Sequence, residues 1–453
     1  MVEATAVLPH RGPVRIQLRT GLTVFIWLLP FHIVLMAWLF GGLGLPGPLV
    51  RLIAAWKEGL IAVLLAATAV RMVRGGGERT AVQWLDLAVF GLALLALLYL
   101  LGAGFWFGLD VPVGARLYGL RDAVYFSLLY FVGRATPEIV RDERALKALF
   151  LVGVVTSALA VLERLFVTPA MLVLLGAASY FQDFLGVTLV TAGNAFGLPA
   201  NYWVYIGDHL VRRAGSTYLS SQGFAVPFLI IVPAATVWIL SRRRGLAAQL
   251  GYALLWVGLL LTITRMTIIA CGLEALAIAA LRRRWEIIAA AATVVVVGLG
   301  YTLVLAPDLA TFLWQTLTFQ SSSSLTHTRD WVTGLENALR YPLGVGLGVA
   351  EQASIRFGLT PLEGENQFLM YAVELGVLGL ALHLATMAGA VLTGLKTLRD
   401  SESMRAAYGV VVAATAAGIL LNGMTTAVFN SMPLTYVFFW LLGSLATASR
   451  VRE

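Results

Sequence analysis

Apolar residues run along the chain in blocks, at roughly 21–42, 52–72, 84–104, 117–133, 148–166, 221–240, 246–264, 267–281, 287–305, 367–393, 406–425 and 433–449. Most approach the ~20 residues that carry an α-helix across the hydrocarbon layer of a bilayer. Backbone in that layer must satisfy its own hydrogen bonds, so each block predicts a helix. The fourth and eighth blocks are short, and their ends are the least defined. Polar connections between blocks are mostly brief, with two exceptions at 167–220 and 306–366. Connections of such length usually carry function. The first holds Tyr180, Phe181, Phe184, Tyr202, Trp203 and Tyr205, which suits helices lying at a membrane interface. In the second, Trp331, Leu335 and Leu339 recur every four residues, while Arg329, Asp330, Glu336 and Arg340 fall off that stripe. This predicts an amphipathic helix. Pro342 ends it, and Gly344, Gly346 and Gly348 follow, which permits either a plain turn or close backbone approach to a ligand.

Composition narrows the class. Of 453 residues, 59% are apolar and 12% charged, against about 25% charged in soluble domains. That excludes a soluble globular enzyme and equally a disordered, collagen-like or disulfide-stapled chain. The expected fold is an all-α polytopic membrane protein. It has about twelve transmembrane helices in one membrane domain over 1–453, interfacial helices in 167–220 and a large external loop of catalytic type at 306–366. No A-x-A pattern follows the first apolar block, so that block is expected to remain as a helix. Cys271, alone in an apolar segment, says little about redox compartment.

The net charge of +8 could suggest nucleic acid, but topology accounts for it better, and no nucleic-acid partner is expected. With the N-terminus inside, alternation puts Arg11, Arg15, Arg19, Arg71, Arg74, Arg79, Arg134, Arg141, Arg144 and Lys147 on the cytoplasmic side. Arg242, Arg243, Arg244, Arg282, Arg283, Arg284, Lys396, Arg399, Arg405, Arg450 and Arg452 join them. The outer side receives only Arg116, Arg212, Arg213, Arg265, Arg329, Arg340 and Arg356. The positive-inside rule therefore predicts both termini in the cytoplasm.

Ionisable residues within spans are costly and mark function by default. Here they are Lys57 with Glu58, Arg121 with Asp122, Glu163 with Arg164, and Glu274. The three doublets fall toward the outer ends of their helices, which predicts a polar cavity opening outward. Since neighbours at i,i+1 do not face each other on a helix, their partners are expected from other helices.

Among the outer arginines, Arg265 stands at the tip of a tight hairpin between two spans, in Thr262-Ile263-Thr264-Arg265-Met266-Thr267. Arg213 precedes the sixth span, and Arg329 opens the amphipathic helix, where an anion also meets the N-terminal dipole. Arginine binds phosphate oxygens in a planar fork and stays charged in apolar surroundings. Three such residues suit a diphosphate on a polyprenyl carrier. The chain has no His/Cys/carboxylate cluster at zinc spacing, no external DxD pair, and no Walker or GxSxG sequence. Metal-free electrostatic stabilisation of a leaving phosphate is the chemistry these residues support.

Several stretches, in order, form a recognisable set. They are Arg213-Ala-Gly-Ser-Thr-Tyr218, Thr264-Arg265-Met-Thr267, Arg329-Asp-Trp331 and Tyr341-Pro-Leu-Gly344-Val-Gly346-Leu-Gly348. Glu365-Asn366-Gln-Phe-Leu369 and Glu374-Leu-Gly376-Val-Leu-Gly379 complete it. The set resembles the O-antigen ligase and O-antigen polymerase superfamily of bacterial membrane glycosyltransferases, over roughly residues 210–380. The resemblance implies a GT-C type enzyme in the cytoplasmic membrane with its site facing outward. Such an enzyme moves a glycan from undecaprenyl diphosphate to an acceptor sugar hydroxyl with inversion, and without cofactor or metal. By position, Arg213, Arg265 and Arg329 would bind the diphosphate. Family ligases carry a histidine-asparagine pair before the tenth span, whereas this chain has Glu365-Asn366. That departure favours a polymerase over a ligase, with Glu365 as general base. His327 could supply an imidazole instead. Asn366 would either orient a sugar hydroxyl or cap the tenth helix. Implied partners are the undecaprenyl-diphosphate-linked oligosaccharide, an acceptor glycan or glycolipid, the bilayer and a chain-length regulator. The alternatives are a transporter or flippase of the same lipid-linked oligosaccharide, disfavoured by the missing internal repeat, and a scaffold without activity.

Overall fold

The computed structural model describes residues 13–74, 81–107, 111–190, 197–242, 244–318, 320, 322–399 and 403–448. Of the topology-setting arginines, Arg11, Arg79, Arg243, Arg450 and Arg452 lie outside these residues. Of the described residues, 79% are helical, and helix occupies each of the apolar blocks. In order the helices are α1 (Pro13–Leu28), α2 (His32–Ala37), α3 (Gly47–Ala54), α4 (Trp56–Val73), α5 (Trp84–Phe107), α6 (Val113–Ala123), α7 (Leu129–Arg134) and α8 (Arg144–Phe166). The first long connection holds α9 (Pro169–Leu174) and α10 (Ala177–Ser179), and leads to α11 (Ser221–Ala225) and α12 (Phe228–Ser241). Then come α13 (Leu246–Leu261), α14 (Arg265–Leu281) and α15 (Trp285–Leu305), followed by α16 (Pro307–Leu317), α17 (Ser322–Arg340) and α18 (Glu351–Arg356). The chain ends on α19 (Gln367–Thr397), α20 (Ser403–Asn422) and α21 (Met432–Ala448).

Among the described residues, seven helices are long and apolar enough to cross a membrane, and Leu246–Leu261 and Met432–Thr447 are shorter apolar helices. The protein is an all-α polytopic membrane protein. Burial grades across the bundle. Along α21, Phe438, Phe439, Trp440, Leu441 and Leu442 are all buried, so this helix lies at the centre. Along α15, Val294, Val295, Val296 and Val297 are all exposed, as on a rim that faces lipid. Ion pairs gather at one end of the bundle, where Arg19 meets Asp142, Arg244 meets Glu143 at 2.7 Å and Arg134 meets Asp86 at 3.1 Å.

Among the described residues, two breaks within apolar helices are held by specific contacts. The fourth block is not one helix: α6 stops at Ala123, Val124 leaves helical geometry, and a 3₁₀ turn (Tyr125–Leu128) leads into α7. The freed carbonyls find partners, Ala123 O from the Tyr371 hydroxyl and Val124 O from the Ser127 hydroxyl at 2.7 Å. Inside a bilayer a break persists only when its backbone is satisfied in this way. The second break is at Gly376 in α19, with φ +70°. Here the glycine run docks: Val345 N–H donates to Val373 O at 2.8 Å, Gly346 N–H donates to Glu374 O at 3.0 Å, and Val377 N–H donates to Pro342 O at 2.9 Å. The Glu374 carboxylate then accepts the N–H groups of Gly348, Val349 and Ala350. The close approach that these glycines permit is therefore to the chain's own backbone. A methyl group on Gly344 (φ +82°) would stand 2.4 Å from Gly376 N. Gly344→Ala is expected to cost about 2–4 kcal/mol, visible as a lower melting temperature of the purified protein.

Two expectations need correction. Two of the three doublets pair within themselves: Lys57 Nζ lies 3.1 Å from Glu58 and Arg121 Nε lies 2.7 Å from Asp122, whereas Glu163 is met from another segment, by Gly215 and Ser216. In the first two, the long cationic side chains bend back around the helix, because in low dielectric the nearest carboxylate outweighs the unfavourable i,i+1 direction. Residues 167–220 also differ from a set of interfacial helices. Besides short helices they hold two antiparallel ladders, β1 (Leu189–Val190) with β2 (Leu198–Pro199) and β3 (Trp203–Ile206) with β4 (His209–Arg212). Tyr180, Phe181, Phe184 and Tyr202 turn inward into a small core with Met36 and Val50, while Tyr205 stays exposed. The amphipathic helix predicted from Trp331, Leu335 and Leu339 is α17, with Leu335 and Leu339 on its exposed side.

Candidate functional site

The site assembles where the two long connections meet the starts of α11, α14 and α19. Its first part is an arginine pair on a built turn. Between α13 and α14 the chain reverses through Thr262 and Ile263, the latter at φ +50°. This tip presents acceptors: Arg213 donates through Nε to Thr262 O at 2.7 Å and through Nη2 to Thr264 Oγ1 at 2.8 Å. Arg213 is itself fixed from behind. Its N–H donates to Tyr202 O at 2.7 Å, and the buried Glu163 carboxylate accepts the N–H groups of Gly215 (3.1 Å) and Ser216 (2.6 Å). One residue beyond the tip, Arg265 begins α14. It donates to Thr316 Oγ1 at 2.6 Å and sits 5.2 Å from the Phe312 ring, so α16 covers it. Burial and the neighbouring Arg265 pull the Arg213 guanidinium down to about 10, while Glu365 holds it up. Arg213 keeps its charge at neutral pH. Two cations held side by side in a partly buried place form a site for an anion.

The second part is acidic. Gln222 of α11 places Nε2 3.5 Å from Glu365 Oε2 and also contacts Thr426 Oγ1. From α17, His327 and Asp330, one turn apart on one face of the helix, act on the same carboxylate through their charge. Asp330 packs on Gly364, where a Cβ would lie 2.5 Å from the Asp330 carboxyl carbon. Burial pushes the Glu365 carboxyl above the usual carboxylate range, and Asp330 adds to this, whereas His327, the Gln222 amide and Arg213 oppose it. A carboxylate with a raised pKa beside two cations has the properties of a general base. Among the described residues, His327 Nδ1 is buried without a hydrogen-bond partner.

Asn366 is committed to the fold. Its Oδ1 accepts the N–H groups of Phe368 (2.9 Å) and Leu369 (3.1 Å), capping α19, and its Nδ2 donates to Met424 O at 3.0 Å. Gln367 strengthens this anchor through Gly423 O and Phe429 N–H, both at 2.8 Å. Of the residues singled out in the sequence, Arg213, Arg265, His327 and Glu365 come together, with Asn366 adjacent. Arg329 does not join them: it lies exposed on α17, one residue from Asp330. Sequence reasoning passed over Gln222, Asp330 and the holding role of Glu163. Asp330 had a usable signal in its spacing of three from His327. Beside Gln222 and Thr426 lies a cavity of about 250 Å³, also lined by Phe181, Leu185, Asn201 and Tyr218.

Residues 250–384 match the family model described as O-antigen ligase. The matched segment contains Arg265, His327, Arg329, Glu365 and the docked glycine run, and leaves Arg213 outside it. No curated protein matches the chain. The match agrees with the set of stretches found along the sequence and supports a likeness to the O-antigen ligase and polymerase superfamily over this segment.

Proposed function

We propose that the protein is a bacterial cytoplasmic-membrane glycosyltransferase, with both termini in the cytoplasm and the site on the outer face. It transfers glycan from undecaprenyl diphosphate to the hydroxyl of an acceptor sugar. The observation that carries this reading is Arg213 fixed at the hairpin tip from which Arg265 projects, with Glu365 close enough to act on Arg213. The acceptor oxygen bonds to the anomeric carbon as the bond from that carbon to the diphosphate oxygen breaks, with inversion. The hydroxyl proton passes to Glu365, and the charge left on the lipid diphosphate is met by the two guanidinium groups. This route calls on no metal. Arg329 adds a cation from the exposed side of α17, and His327 and Asp330 set the proton affinity of Glu365. The carboxylate in place of a histidine favours polymerisation over ligation.

Reconstitution with a short undecaprenyl-diphosphate oligosaccharide, alone and with candidate acceptors, tests the reading. A ladder of products from the donor alone means a polymerase. Transfer only to an added glycolipid or protein means a ligase. Transbilayer movement of the donor without any transfer would overturn the enzyme reading in favour of a flippase.

A further inference from the structure

A second group of cations lies beyond the cavity, and the transfer just described does not use it. Arg121 of α6 stands over Tyr118 with its guanidinium carbon 3.8 Å from the ring centroid. Arg356, at the end of α18, lies 5.0 Å from the same ring and 5.5 Å from Phe184. Arg51 of α3 lies 5.7 Å from Phe184. Segments far apart in sequence thus gather three guanidinium groups on two rings. The charge balance is one-sided. Asp122 is taken by Arg121, and Glu58 by the buried Lys57. Among the described residues, neither Arg51 nor Arg356 has a carboxylate within 4.0 Å, although Asp183 precedes Phe184 in the chain. Stacking takes up the flat faces of the guanidinium groups and fixes their planes; Arg121 gives its Nε to Asp122, which leaves Arg51 and Arg356 to supply the excess positive charge.

Position supplies the second half of the argument. The cavity of about 250 Å³ is lined on one side by Phe181 and Leu185, which flank Phe184, and on the other by Gln222 and Thr426, which stand at Glu365. Neither Arg213 nor Arg265 is among the residues that line this cavity.

We propose that Arg51, Arg121 and Arg356, stacked on Tyr118 and Phe184, form a second anion site that holds the acidic group of the acceptor glycan. That group is a carboxylate or phosphate ester carried on a sugar. The acceptor hydroxyl reaches Glu365 through the cavity, and the donor diphosphate occupies the separate Arg213–Arg265 site. The assignment rests on the proposed transfer for the identity of the acceptor, and on the stacked arginines alone for the anion.

Binding by the full-length protein in lipid nanodiscs tests it, with trigalacturonate, a phosphorylated trisaccharide, neutral galactotriose and polyprenyl diphosphate as probes. Arg51→Gln/Arg356→Gln is expected to weaken the better acidic probe at least tenfold while leaving polyprenyl diphosphate within twofold. Arg51→Gln alone, on an exposed side chain, keeps the fold and gives a smaller loss of the same kind. Arg265→Gln is expected to do the reverse. Unchanged binding of both acidic probes in the double variant overturns the second site. A loss confined to polyprenyl diphosphate in that variant also overturns it, because the cluster then belongs to the donor. Undiminished polyprenyl diphosphate binding in Arg265→Gln counts against the donor assignment only.

Discussion

Replacing Arg265 with alanine is expected to lower the rate of glycan transfer by roughly 10²–10³-fold, the usual cost of losing one preorganised group at a developing oxyanion. Arg213→Ala should fall in the same range, because in the proposed transfer both guanidinium groups meet the charge that grows on the leaving diphosphate. The two losses are expected to be less than additive, since either variant removes half of one clamp. Arg265 is fastened through Thr316 and the Phe312 ring, and the protein should remain inserted and monodisperse. Arg329→Ala is the internal comparison. Exposed on α17, it should cost about tenfold or less. Single-turnover assays with a short lipid-linked donor separate these outcomes, and wild-type rates in Arg213→Ala and Arg265→Ala would end the diphosphate assignment.

Glu365→Gln should lower turnover by about 10²–10⁴-fold, the range typical of general-base removal, with donor affinity nearly unchanged. The sign of the pH response follows from the raised proton affinity of this carboxyl. A base acts only as the carboxylate, so the wild-type rate should climb with pH through the raised pKa and level off above it. Asp330→Asn removes a like charge that pushes Glu365 upward. Its acid limb should therefore move to lower pH, with the plateau changed far less than in Glu365→Gln. A limb that stays in place would remove Asp330 from the site. Turnover unaffected in Glu365→Gln would move the base to His327.

Much of the architecture was legible because it rests on one-dimensional patterns. Apolar blocks near helix length, the amphipathic spacing of α17, and the reversal at Thr262–Thr264 all appear in the structure. What failed to show in the sequence depends on backbone that leaves the regular pattern. The break of α6 after Ala123 falls within a continuous apolar block, and only Tyr371, far along the chain, reveals why it is tolerated. The glycine run reads equally well as a turn or a ligand cradle until Gly376 is seen lying against it. The inward aromatics of the first long connection also read as interface anchors, because composition does not say which way a ring points. For the site, arginine in an apolar setting is a strong signal, and Arg213 and Arg265 carried it. Gln222 carried none, being an ordinary polar residue at the mouth of a span. Glu163 was visible as a buried charge, but its work of holding the Gly215–Ser216 turn depends on a contact made 52 residues later in the chain.

The anchor formed by Asn366 and Gln367 on Gly423, Met424 and Phe429 bears on how the protein is made. The ribosome delivers the arginines and Glu365 well before the segment that holds Glu365 in place. In the proposed reaction the site would therefore stay incomplete during synthesis until the segment that follows α20 has been made. A chain stopped after residue 422 retains Arg213, Arg265 and Glu365 and is expected to be inert. Co-expression of the missing C-terminal segment should restore transfer.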